Sequence, residues 1–270
     1  MRVLAINDLS CVGKCSLTVA LPIISACGVT CDVLPTAVLS THTGGFEGFT
    51  FRDLTKDFSD ILAHWKSLGL TFDVLYSGYL GSIEQIELVA RLKAKFLSNN
   101  GLFIVDPVMG DSGKLYKGFT PSFVEKMKTL CRQADYILPN HTEACALAGV
   151  SYPLTRGDEL IQALRELCKR PIVTGVLEEN GIAVYYADET GATQKYLSEN
   201  VQGFFHGAGD VFAAAFVGAL AREKNEETAI RLAADFAHDC IRRSASEVPD
   251  KRYGLNFEAE IFPFLQKING

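Results

Sequence analysis

A short glycine-rich run ending in a carboxylate, Gly207-Ala208-Gly209-Asp210, stands directly before Val211-Phe212-Ala213-Ala214-Ala215-Phe216-Val217. That almost unbroken apolar stretch must form a buried helix. A buried helix that starts on glycines turns several unpaired N–H groups and a partial positive charge into one small space. Such a start suits an anion, and in particular the charge that develops on a transferring phosphoryl group. Asp210 is then within reach of an attacking hydroxyl. The helix end is expected to lower its pKa, so that it orients the hydroxyl and accepts the proton late, as the oxygen bonds to phosphorus. Taken alone, the same Asp would do no more than complement the helix dipole.

Other polar groups fall where short apolar strands end. Val3–Asn7 runs into Asn7-Asp8, Phe72–Ser77 into Ser77-Gly78-Tyr79, and Leu102–Asp106 into Asp106-Pro107-Val108-Met109-Gly110-Asp111. Tyr136–Pro139 leads to Pro139-Asn140-His141-Thr142-Glu143, and Pro171–Thr174 to Thr174-Gly175. In open parallel α/β sheets ligands bind beyond the carboxyl ends of the strands, so these groups share one edge. Asp106, Asp111 and Glu143 offer hard oxygen ligands of the kind Mg2+ takes, a few carboxylates completed by water and substrate phosphates. Glu143 has an equally good reading as a first-turn acid favoured by the helix dipole.

The elements that must position these residues alternate. Two further strands are expected at Cys31–Val38 and Ile182–Tyr186, with helices around 14–27, 53–67, 83–98, 120–133, 141–148 and 157–169. After residue 190 the pattern predicts helices only, at 206–222, 226–244 and 256–267, the second capped by Asn225. Strands that read as continuous apolar runs between helices imply a mostly parallel sheet covered on both faces, a three-layer αβα architecture. Neither repeat nor linker is evident, so one domain over 1–270 is expected.

Composition bounds the function. Hydrophobic residues make up 48% and charged residues 21%, which is ordinary for a globular protein. A net charge of −6 with no Lys/Arg block argues against nucleic acid or an anionic membrane as partner. The chain enters its first strand without a signal-like segment, and a cytoplasmic location is expected. The eight cysteines have no metal-type spacing and are expected to be buried thiols. Two look-alike motifs fail. Position 212 is Phe, which breaks a dinucleotide-type G-x-G-x-x-G. Gly13-Lys14-Cys15-Ser16 ends like a P-loop, but Asp8 takes the place of the first glycine and would repel phosphate.

Several of these segments in order resemble the pyridoxal kinases of the ribokinase-like superfamily: Val3-Leu4-Ala5-Ile6-Asn7, Ser40-Thr41-His42-Thr43-Gly44, Ser77-Gly78-Tyr79, Asp106 to Asp111, Pro139 to Glu143, and Gly207 to Asp210. The resemblance covers nearly the whole chain. It implies ATP-dependent phosphorylation of the 5′-hydroxymethyl group of a vitamin B6 vitamer. On the matching positions it implies Asp210 as catalytic base and the amides of Gly207, Ala208 and Gly209 as the anion hole. It further implies Asp106, Asp111 and Glu143 around magnesium and the ATP phosphates, and Asn140 and Thr174 on the nucleotide side. Asp8, His42, Thr43 and Tyr79 fall in the vitamer pocket, and Lys114 and Tyr116 in a loop that closes over ATP. A homodimer is the family's usual state, and a monovalent cation joins Mg2+ as a candidate cofactor.

The chain departs from the family pattern at two positions. Ala208 stands where the family commonly has Thr, which removes one hydroxyl contact to phosphate. Asp8 stands where many pyridoxal kinases have Ser, and its charge is expected to favour pyridoxamine. The nearest alternative is a hydroxymethylpyrimidine kinase of the same superfamily. Those enzymes often carry Cys at the position of Asp210 and differ after the Asp-Pro-Val. A non-catalytic nucleotide or vitamer sensor on the same fold would have no need of Asp210 and Glu143.

Overall fold

The computed structural model describes residues 1–153 and 156–270. In chain order its elements begin with β1 (Arg2–Ser10), α1 (Leu17–Ala26), β2 (Thr30–Leu39), β3 (Phe51–Asp53), α2 (Phe58–Ser67), β4 (Phe72–Ser77) and α3 (Ile83–Phe96). Next come β5 (Leu97–Val105), β6 (Gly110–Asp111), β7 (Lys114–Leu115), α4 (Pro121–Cys131), β8 (Tyr136–Ile137), α5 (His141–Ala148) and α6 (Gly157–Leu164). The chain finishes with β9 (Arg170–Glu178), β10 (Gly181–Ala187), β11 (Thr193–Ser198), α7 (Ala208–Ala221), α8 (Glu226–Glu247) and α9 (Glu258–Asn269).

One nine-stranded sheet has the order β11-β10-β9-β8-β5-β4-β1-β2-β3. The pairs from β9 through β8, β5, β4 and β1 to β2 are parallel, and β3, β10 and β11 add antiparallel edges. Successive side chains of a strand face opposite sides, and the interior strands use both. Val3 and Ala5 join α1, α7, α8 and α9 in one core, whereas Leu4 and Ile6 join α3, α4, α5 and α6 in the other. The result is the expected three-layer αβα fold. From β1 the chain moves to β2 in one direction and later to β4 in the other, so the order reverses beside β1. The carboxyl ends at that switch point are the place for a ligand.

Caps explain the best-defined helix ends. Asn225 caps α8 through Thr228 N at 2.9 Å, as expected. In α5 Asn140 accepts from Glu143 N while Glu143 reaches back to Asn140 N, a reciprocal capping box.

The structure corrects several expectations. The region after 190 is not helical throughout, because β11 pairs with β10 there. The helix expected from 53 starts only at Phe58, since β3 pairs with β2 and Thr55–Asp57 is a single 3-10 turn. β1 continues past Asn7-Asp8 to Ser10, with a register shift between Asn7 and Leu9. Cys27, Cys131, Cys145, Cys168 and Cys240 are buried, but Cys11 is exposed and Cys15 and Cys31 are half-buried. Among the described residues no helix is long and apolar enough to cross a membrane.

Candidate active site

Helix α7 begins as the sequence demands. Its first internal hydrogen bond runs from Val211 N to Gly207 O at 2.9 Å, so the amides of Ala208, Gly209 and Asp210 precede the helical ladder. Gly207 has φ +79°, a left-handed conformation that favours glycine, and a Cβ there would run into the carbonyl of Lys14. Gly209 has nothing within 4 Å of the place a Cβ would take, which leaves open space before the exposed amides. This is a cradle for an anion.

Asp210 stands in the first turn of α7. It borders the open side of the site and is half-buried as a residue. Protein packed around its carboxyl pushes the pKa up to about 7, and the negative charge of Asp8 adds to the rise. The N–H of Ser16 and the side chain of Asn7 act in the opposite direction. The expectation of a lowered pKa is therefore wrong for the free protein, because desolvation outweighs the helix end. A carboxylate poised near neutrality is a better base for an alcohol than one held far below it.

Asp8, buried beside the switch point, accepts from Ser16 Oγ at 2.5 Å and from Ser10 Oγ at 3.0 Å. Burial raises its pKa, and the two hydroxyls and His42 work against that rise. The Tyr79 phenol is pushed up to about 12 by burial and by the charge of Asp8. Tyr79 and Asp8 are thus brought together as expected, with the Tyr79 ring 5.9 Å from that of Phe119.

His42 also faces Asp8, but both of its nitrogens are engaged. Nδ1 accepts from Gly44 N at 3.0 Å, and Nε2 donates to Arg252 O at 2.5 Å. Both nitrogens are thus turned to the backbone, and the ring is what His42 offers a ligand. Thr43 lies exposed on the same loop.

Asp106 and Glu143 are both buried, and the charges of Glu143 and Asp210 reach Asp106. Burial raises both proton affinities, and the charges acting on Asp106, those of Glu143 and Asp210, are of its own sign. Glu143 Oε1 accepts from Met109 N at 3.0 Å and Gly110 N at 3.4 Å, and Oε2 from Asn140 N at 2.9 Å. The first-turn reading of Glu143 thus holds, since it caps α5, and its charge also reaches Asp106.

Asp111 is half-buried and accepts from Ser112 N at 2.6 Å. Among the described residues no three His, Cys, Asp or Glu side chains gather at metal-ligand spacing, so Asp106, Asp111 and Glu143 do not form a closed cage.

Asn140 and Thr174 are joined by a parallel bridge at the ends of neighbouring strands. The Asn140 side chain accepts from Glu143 N at 3.0 Å and donates to Gly110 O at 2.8 Å. Lys114 and Tyr116 sit on and just after the β6–β7 hairpin, both exposed. The charges of Glu143, Asp111, Asp210 and Asp106 all raise the Tyr116 phenol, after burial itself. The hairpin therefore overhangs the carboxylates.

Asn7, which ends the first expected strand, and two residues given no site role from the sequence, Ser16 and His206, lie here as well. Asn7 is fully buried, and its Oδ1 accepts from Tyr79 N at 2.8 Å and Asp8 N at 3.0 Å. Its Nδ2 reaches no acceptor at hydrogen-bond distance yet helps hold down the pKa of Asp210. Ser16 belonged to the rejected P-loop look-alike. His206, directly before Gly207, has its ring 5.1 Å from that of His42. A polar residue inside an otherwise apolar strand was the available signal for Asn7.

Residues 21–254 match the Phosphomethylpyrimidine kinase family. The pyridoxal kinase PdxY of Vibrio parahaemolyticus is 30% identical over 68% of this chain and 68% of its own length. The crystal structure of pyridoxal kinase from Lactobacillus plantarum superposes with a TM-score of 0.92 at 33% identity, covering 98% of this chain and 96% of that one. The pyridoxal kinase of Leishmania donovani, solved with ADP and pyridoxamine, shares the fold with a TM-score of 0.86 at 22% identity, over 97% of this chain and 95% of that one. With its ribokinase-like αβα architecture, its anion-binding helix start and these relatives, the chain belongs to the Phosphomethylpyrimidine kinase family and, within it, to the pyridoxal kinases.

Proposed function

We propose that the protein transfers the γ-phosphoryl group of ATP to the 5′-hydroxymethyl group of a vitamin B6 vitamer, pyridoxal, pyridoxine or pyridoxamine, in B6 salvage. The observation that carries this reading is the position of Asp210. It stands at the open amides of α7, close enough to feel the charge of Asp8 and to act on the buried Asp106, which Glu143 also faces.

The vitamer binds on the side of Asp8, His42, Thr43 and Tyr79, with its hydroxymethyl group toward Asp210. Asp210 accepts the hydroxyl proton as the oxygen bonds to phosphorus, and the amides of Gly207, Ala208 and Gly209 receive the phosphoryl oxygens. Ala208 brings no hydroxyl, so backbone donors do this work. ATP lies toward Asp106, Asn140, Glu143 and Thr174, and the hairpin carrying Lys114 and Tyr116 covers it.

The residues present fit Mg2+. Asp106 and Glu143 are buried carboxylates whose neighbouring charges are also negative, an arrangement that a divalent cation stabilises. Asp106 and Asp111 would hold the ion together with water and phosphate oxygens, with Glu143 in support because its oxygens already serve three backbone amides. When bound, the ion supplies neutralisation of phosphate charge. A monovalent cation is a further candidate. The proposal treats residues 1–270 as one kinase domain acting in a cytoplasmic homodimer, as the family resemblance implies.

The matched family's description favours one second reading, a hydroxymethylpyrimidine as acceptor. An ADP-release assay with Mg-ATP against the three vitamers and hydroxymethylpyrimidine separates the two. Vitamer-dependent ADP release supports the proposal, and turnover of the pyrimidine alone rejects it.

A further inference from the structure

The turn Gly13-Lys14-Cys15-Ser16, which does not serve as a P-loop, is built into the acceptor side of the site. Gly13 has φ +90°, and a Cβ there would meet the His42 ring. The carbonyl of Lys14 is approached so closely by Gly207 and by Gly254 that neither has room for a Cβ. Lys14 N donates to Tyr253 O at 3.0 Å, and Lys14 Nζ pairs with Glu258 Oε2 at 2.6 Å. The turn is thus clamped on three sides.

At its end Ser16 adopts φ 56° and ψ −128°, a conformation that costs a non-glycine residue free energy. Ser16 stands at the N-cap of α1, yet its side chain makes no capping hydrogen bond. Its hydroxyl instead donates to Asp8 Oδ1 at 2.5 Å, and the residue is buried. Its N–H faces the Asp210 carboxyl. A strained residue that gives up its cap to hold a carboxylate points to a function for that carboxylate.

We propose that Ser16 is a positioning residue that fixes the Asp8 carboxylate in the acceptor pocket and thereby sets the preference for acceptors bearing a cationic nitrogen. The proposal rests on the B6 kinase reading above and extends it to selectivity. Two hydroxyl donors, Ser16 on Oδ1 and Ser10 on Oδ2, favour the ionised form of Asp8 against the effect of its burial and leave each oxygen able to accept once more. An ionised carboxylate only accepts, so the ligand group that meets it must donate. An ammonium or a protonated ring nitrogen does so with opposite charge.

The test is a double-mutant cycle between Ser16→Ala and Asp8→Asn, read as kcat and KM for pyridoxamine, pyridoxine and ATP. Ser16→Ala is expected to raise the KM for pyridoxamine about tenfold, the range of a hydrogen bond to a charged group. The KM for ATP and kcat should stay within about threefold, because the Ser16 N–H is retained. In the Asp8→Asn background the same substitution should change the pyridoxamine KM less than about twofold. Ser16→Gly removes the same hydroxyl while relaxing the backbone, so it must give the same pattern, even where Ser16→Ala folds poorly.

An equal loss in both backgrounds, or an equal rise in the KM of ATP, overturns the assignment. Should the wild type phosphorylate only hydroxymethylpyrimidine, the vitamer reading fails. The cycle run with that acceptor then still decides the role of Ser16.

Discussion

Glu143 Oε1 accepts the backbone N–H of Met109 at 3.0 Å, which fastens the first turn of α5 to the segment leaving β5. The same carboxylate completes the α5 capping box and sits beside Asp106. In Glu143→Gln an amide NH2 must oppose at least one backbone donor. We expect a stability loss of about 1–3 kcal/mol, the cost of leaving a buried donor unpaired. The KM for ATP should rise at least about fivefold, because the segment from Asp106 to Asp111 loses its anchor. Thermal denaturation and ATP titration check the two effects, and an unchanged variant would mean the anchor is idle.

Asp210 gives the free protein a pH-dependent stability. Its folded pKa of about 7 lies above the usual carboxylate value of 3.8. Between those values the folded state holds the proton more tightly than the unfolded chain. Stability from this group is therefore full at low pH and is lost as pH rises through the window. The Tm of the protein without ligands should fall between about pH 4 and pH 7, and less steeply in Asp210→Asn. Identical slopes in both proteins would rule out burial as the dominant influence on Asp210.

Gly207 and Gly209 should respond differently to alanine. Gly207 has positive φ and the Lys14 carbonyl against it, so Gly207→Ala should cost stability by about 1–3 kcal/mol. Gly209 has open space and no positive φ, so Gly209→Ala should keep its Tm within about 2 °C, less than 1 kcal/mol implies. Its methyl group would nevertheless enter the anion cradle and lower kcat at least about tenfold, as removal of oxyanion-type stabilisation does. Melting curves and ADP release on both variants decide this.

What could be read from the sequence followed from strong local signals. Helix α5 lies at 141–148 as expected because Asn140 and Glu143 spell its capping box and Gly149, at φ +70°, ends it. The interior strands showed as apolar runs because both of their faces are covered. Strand β11 was missed since its residues, Thr-Gln-Lys-Tyr-Leu-Ser, are half-exposed or exposed at an edge and carry no apolar run. β3, three exposed residues long, gave no signal for the same reason.

Strand-end reasoning put Asp106, Asn140 and Thr174 at the carboxyl ends of neighbouring strands, where they stand, because that position depends on topology alone. It could not locate Ser16 or the orientation of Asn7, which depend on a left-handed turn and on which amides Asn7 Oδ1 receives. The pKa of Asp210 was misjudged because the helix end is visible in sequence whereas the packing around the carboxyl is not.

The role of Asp210 is tested most directly by ADP release from Mg-ATP in the presence of each vitamer, in wild type and Asp210→Asn. Wild type should show vitamer-dependent turnover, and the variant a kcat lower by at least about two orders of magnitude with vitamer binding retained. A loss smaller than about threefold would contradict that role.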